Sequence, residues 1–103
     1  MDDRTEVMSD IDCLMSEVVG EMKRATAKFP TWPDHGMHAS AIVAEEAGEL
    51  HKATLEHTYE PNKSTLEDVR KEAIQTAAMC FRFLMSMDEY HFVPCSQHKQ
   101  GGF

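Results

Sequence analysis

Two clusters of helix-breaking residues divide this chain into three stretches, and that division constrains its fold more than any other feature. Phe29-Pro30-Thr31-Trp32-Pro33-Asp34-His35-Gly36 holds two prolines and a glycine, and Tyr59-Glu60-Pro61-Asn62-Lys63 holds another proline in turn-like company. Proline lacks a backbone donor and clashes with the preceding turn, so neither cluster continues a helix. From about Val7 to Lys28, apolar residues at Val7, Ile11, Leu14, Val18 and Met22 recur at helical spacing. A second helical stretch runs from about His38 to His57. Ser64 followed by Glu67 reads as a capping box that opens a third stretch to about Met87. With no alternating strand pattern and no internal repeat, the expected fold is all-α: a short helical bundle built on an antiparallel hairpin of the second and third helices. Residues 1–103 form one domain on this reading, and the tail 88–103, with Pro94 and a glycine pair, is expected to be loosely structured.

The third stretch is apolar on more than one side. Val69, Ala73, Thr76, Ala77, Cys80 and Leu84 make one stripe, and Ile74, Ala78, Phe81 and Met85 make another. A helix that is apolar nearly all round must be buried nearly all round. Three helices from 103 residues cannot cover it, which predicts a homo-oligomer, dimer or tetramer, with a shared helical core. The eight methionines suit such a core better than a cofactor site.

Charge and composition narrow the function. A hydrophobic content of 42% supports a folded core, and a formal charge of -8 argues against gripping a nucleic-acid backbone. It leaves open a small phosphate ligand, because a bound divalent cation reverses the local sign. No apolar run has the length of a membrane span, and Met1-Asp2-Asp3 is unlike a secretory leader. Cys13, Cys80 and Cys95 are then expected to be free thiols in a reducing cytoplasm. His91, Cys95 and His98 have zinc-like spacing but supply three ligands where structural zinc takes four, so an unliganded tail is expected. No GxxxxGK[ST] loop is present, and no Cys-His nucleophile pair has a recognisable context.

The informative segment is Ile42-Val43-Ala44-Glu45-Glu46-Ala47-Gly48-Glu49-Leu50. Helical spacing gives Ala39, Ile42, Val43, Glu46, Glu49, Leu50 and Ala53, which puts Glu46 and Glu49 within or beside the apolar stripe. Burying ionised carboxylates without partners costs several kcal/mol, so the pair needs basic partners or a hard cation. A solvated face with Glu45 and Lys52 is the plainer alternative. Glu72 and Gln75 repeat the three-residue spacing on the next helix. Glu49 lies roughly 12 Å before the end of its helix, and Glu72 roughly 12 Å after the start of the next. In a hairpin the two pairs stand level, and four oxygen donors facing one point suit Mg²⁺ or Mn²⁺. Trp32, with His38 nearby, offers an aromatic face for a nucleobase, and Lys52 is the favoured cation for phosphate.

At these residues the chain resembles the MazG-like, all-α nucleoside triphosphate pyrophosphohydrolases, marked by Glu-Glu-x-x-Glu on one helix and Glu-x-x-Asp on the next. The first half stands here as Glu45-Glu46-Ala47-Gly48-Glu49 and the second as Glu72-Ala73-Ile74-Gln75, within a resemblance covering roughly His38 to Leu84. The resemblance implies that Glu46, Glu49 and Glu72 are metal ligands, with Gln75 in place of the usual aspartate. A glutamine amide oxygen can coordinate Mg²⁺ but is neutral and cannot act as a base. Weaker metal binding, a water in place of the contact, or lower activity would each follow. The implied reaction converts NTP or dNTP and water to NMP and pyrophosphate, with Mg²⁺ neutralising phosphate charge and Glu45 or Glu46 deprotonating the water. Two alternatives remain: a catalytically weakened nucleotide- or metal-binding oligomer with a regulatory role, and a structural helical oligomer whose glutamates pair with lysines.

Overall fold

The computed structural model describes residues 3–94 and contains three α-helices: α1 (Asp3–Lys28), α2 (Gly36–Tyr59) and α3 (Leu66–Met85), followed by a short 3₁₀ turn, Met87–Glu89. No strand is present among the described residues, and no helix among them is long and apolar enough to cross a membrane. Both proline clusters fall in the connections, as their chemistry requires.

Helix α3 is the central element. Both α1 and α2 pack on it, and among the described residues the backbones of α1 and α2 do not approach each other closely. The buried core joins Val18 of α1 to Ala78 and Met79 of α3, with Met22, Ile42, Val43, Ile74 and Phe81 packed around them. Helix α1 buries only part of its apolar stripe. Val18 is buried and Met22 half-buried, but Val7, Ile11 and Leu14 are 54%, 43% and 44% exposed. The stripes of α3 divide similarly: Ala78 is buried, whereas Cys80, Leu84 and Met85 stay exposed.

The start of α3 corrects the expected cap. Thr65, not Ser64, is the N-cap: its hydroxyl accepts from the Asp68 N–H at 3.0 Å, and the Asp68 carboxylate accepts from the Thr65 N–H at 2.9 Å. Thr65 and Asp68 thus form the reciprocal pair expected of Ser64 and Glu67. Ser64 is buried instead, and its carbonyl accepts from His57 Nδ1–H at 2.9 Å, tying the last turn of α2 to the approach to α3.

After the 3₁₀ turn, residues 90–93 fold back on the first connection. The His91 N–H donates to the Asp34 carbonyl and the Gly36 N–H to the His91 carbonyl, each at 2.9 Å, forming an isolated parallel bridge. His35, the buried N-cap of α2, accepts the Met37 N–H on Nδ1, and its Nε2 donates to the Val93 carbonyl at 2.7 Å. Phe92 lies so close to Gly36 that a Cβ there would stand 2.1 Å from its ring and make the exposed ring shift. Cys95 and His98 of the zinc-like triplet lie outside the described residues.

The position of the cap is testable by urea unfolding. Thr65→Ala is expected to destabilise the protein by about 1 kcal/mol, through loss of the cap. Ser64→Ala, which leaves the reciprocal pair intact, is expected to cost less. The reverse order would return the cap to Ser64.

Candidate metal centre

The carboxylates of Glu46, Glu49 and Glu72 converge between α2 and α3. One oxygen from each lies within 4.8 Å of the other two. Helical periodicity explains the arrangement: Glu46 and Glu49 are three residues apart and share a side of α2, while Glu72 stands in the second turn of α3. Ionised carboxylates at this spacing repel one another by about 3 kcal/mol per pair at an effective dielectric constant of about 20.

Burial sharpens the conflict. Glu46 Oε2 and Glu72 Oε2 are shut off from solvent and have no hydrogen-bond partner. Desolvation is the main cause that raises the pKa of Glu46, and the charges of Glu49, Glu72, Glu45 and Glu21 add to it. The pKa of Glu72 is raised first by burial and then by Glu49, with the Lys71 ammonium opposing the rise. Among the described residues, Arg24 pairs with Glu21, Lys63 with Glu60, and Arg70 with Glu17, and none forms an ion pair with the three converging carboxylates. Buried acceptors without donors, an all-oxygen set and adjacent negative charge fit a hard divalent cation.

Two open pockets flank the cluster. A cavity of about 570 Å³ occupies the cleft between α1 and α2, and Glu45, Glu46 and Gln75 line it together with Trp32, Lys71 and Arg82. A second pocket of about 330 Å³ is lined by Glu49 and Glu72 with Lys52, Lys63 and Lys71. Trp32 and Gln75 thus share the larger of these two cavities with Glu46, whereas Lys52 lines the other pocket with Glu49 and Glu72. His38 lines neither pocket; it stacks on His35 with ring centroids 4.6 Å apart.

Sequence reasoning missed part of this cavity. Glu21, Arg24 and Lys28 of α1 line it, and their spacing beside Val18 and Ala25 was the only available signal. Arg82, which reads as a surface cation in the sequence, is buried: its guanidinium lies 4.6 Å from the centroid of the Trp32 ring and donates from Nη2 to the Phe29 carbonyl at 3.0 Å. Comparison with known proteins finds no family model, curated protein or solved structure that matches this chain.

The raised carboxyls predict a pH dependence of known sign. Glu46 and Glu72 bind protons more tightly folded than unfolded, so the folded protein holds more protons above pH 4.5, the ordinary glutamate value. Their contribution is complete below that pH and is lost as pH rises through the raised values. Glu17 and Asp68 have lowered values, so their effects fall on the acid side of their ordinary 4.5 and 3.8. Without divalent cations, urea stability should decline from pH 4.5 towards 7 more steeply in the wild type than in Glu72→Gln. Parallel curves would remove this cluster as the cause.

Proposed function

We propose that this chain is a divalent-cation-dependent nucleoside triphosphate pyrophosphohydrolase of the MazG-like all-α family. The observation that carries the reading is the convergence of Glu46, Glu49 and Glu72, with two buried, unpartnered oxygens, beside a cavity walled by Trp32. Glu46, Glu49 and Glu72 would hold Mg²⁺ or Mn²⁺, and the Gln75 amide oxygen offers a neutral fourth donor. When bound, the ion supplies charge neutralisation to the phosphate oxygens and to the departing pyrophosphate.

The chain's own residues then have separable roles. Trp32 receives the nucleobase at the cavity wall. Lys71, which lines both pockets, faces the phosphates, and Lys52 offsets negative charge at Glu49 and Glu72. Glu45, exposed at the cavity beside Glu46, accepts the proton of the attacking water as the bond between the α- and β-phosphates breaks. Water contributes its oxygen to one phosphate, and NMP and pyrophosphate leave. His38 belongs to this reading only as a neighbour of the loop that carries Trp32.

In the same reading α2 and α3 form an antiparallel hairpin, completed by one or three further copies of the chain. The apolar grooves beside Met15, Val19 and Phe81 and beside Val43, Phe83 and Leu84 support a covering helical partner. The setting is the cytoplasm, and the role is clearance of unwanted nucleotides. Gln75 favours a second reading, because it brings no negative charge to the cavity: a nucleotide- or metal-binding oligomer with weak turnover.

Pyrophosphate release from a panel of standard and modified NTPs and dNTPs, with Mg²⁺ or Mn²⁺, separates the two. NMP and pyrophosphate are expected in equal amounts, and Glu49→Ala should lower turnover at least about 100-fold. A folded wild-type protein that binds the cation and turns over no nucleotide would leave the binding module.

A further inference from the structure

Trp32 is held by a residue from the far end of the described chain. Its Nε1–H donates to the Tyr90 hydroxyl at 2.7 Å, and that hydroxyl donates to the Phe83 carbonyl at 2.9 Å. The Tyr90 ring packs on Phe83 with centroids 4.9 Å apart, so the phenol is anchored to the end of α3. The segment carrying Tyr90 is itself tied to the start of α2 by the His35–His91 bridge and by the contact of His35 with the Val93 carbonyl. The Arg82 guanidinium lies against the same indole and is fixed by the Phe29 carbonyl. The indole is therefore located by a hydrogen bond at its edge and a cation near its ring, and both Trp32 and Arg82 line the cavity beside Glu46.

We propose that Tyr90 is a positioning residue for base recognition: by holding Trp32 through Nε1, it sets a Trp32–Arg82 wall that selects a nucleoside triphosphate over bare triphosphate. This inference rests on the reading of the cavity as a nucleotide site. An indole with a fixed plane loses little freedom when a flat base meets it, whereas a rotating indole must be ordered at the moment of binding. The guanidinium carries five N–H donors, of which one is used by Phe29, so the wall combines an aromatic surface with donors for base carbonyls. The indole has one donor, Nε1–H, and Tyr90 takes it, so Trp32 offers a bare triphosphate neither charge nor hydrogen bond, and loss of Tyr90 should leave phosphate recognition intact.

The experiment uses Trp32 as its own reporter, since it is the single tryptophan. Emission is titrated with the eight standard NTPs and dNTPs and with inorganic triphosphate in wild type and Tyr90→Phe, and the same ligands are tested on Trp32→Phe and the double variant. Binding to the two chains without tryptophan is followed by calorimetry, and KM and kcat are measured wherever turnover occurs. Tyr90→Phe keeps the ring on Phe83 and removes only the hydroxyl. It should weaken the best nucleotide about tenfold, through Kd and KM, with kcat and inorganic-triphosphate affinity unchanged. In the Trp32→Phe background, which has no Nε1–H, the same substitution should have no further effect. Equal weakening of nucleotide and inorganic triphosphate, or additive effects in the double variant, would overturn the proposal. So would the absence of any nucleotide-dependent change in Trp32 emission, even with turnover intact. Nucleotide binding that obeys the expected pattern without turnover would support Tyr90's role while sinking the hydrolase reading.

Discussion

The repulsion among Glu46, Glu49 and Glu72 is the constraint around which the rest of this structure is arranged. Packing α2 against α3 brings the three carboxylates within one ion's reach and removes two of their oxygens from water. Apolar residues at those positions would pack with no such conflict. Here Ile42, Val43, Ile74 and Ala78 supply the attraction between the helices, and the carboxylates work against it. Such an interface is relieved by a proton or by a cation, and both the raised proton affinities and the proposed metal chemistry follow from that one conflict.

The other elements hold this interface in register. Thr65 and Asp68 cap the helix that carries Glu72, and the contact of His57 with Ser64 ties the connection to the end of α2. Among the described residues the backbone of α1 lies close to α3 and not to α2, and their side chains line the cavity between them. The segment from Tyr90 to Val93 closes the opposite end by fastening Trp32 and the start of α2. The core within one chain is small for holding so strained an interface. Alanines make up much of its buried apolar set, and long apolar residues at both ends of the molecule remain exposed.

The helices and the carboxylate cluster were legible because both depend on local periodicity. Prolines placed the breaks, and a three-residue spacing put Glu46 and Glu49 on one side of a helix whatever its partner. The one-residue error at the α3 cap left the expected height of Glu72 nearly unchanged, since one residue is only about 1.5 Å of helix. What the sequence did not reveal depends on how helices lie across one another. Whether Val7, Ile11 and Leu14 meet α2 is decided by the angle of α1, which its own periodicity does not contain. Arg82 resembles a surface cation until Trp32 and the Phe29 carbonyl come to it from distant parts of the chain. The docking of Tyr90 and His91 uses a ring hydroxyl and backbone bridges, which leave no pattern in the order of residues.

The most direct test is thermal unfolding at neutral pH over a range of Mg²⁺ concentrations, comparing the wild type with Glu72→Gln. A cation held by Glu46, Glu49 and Glu72 binds the folded chain alone, so the wild-type Tm should climb steadily with the logarithm of Mg²⁺ concentration. The variant should respond much less, because one ligand charge is gone. A wild-type Tm indifferent to Mg²⁺, or an equal rise in both proteins, would contradict a metal centre at these three residues.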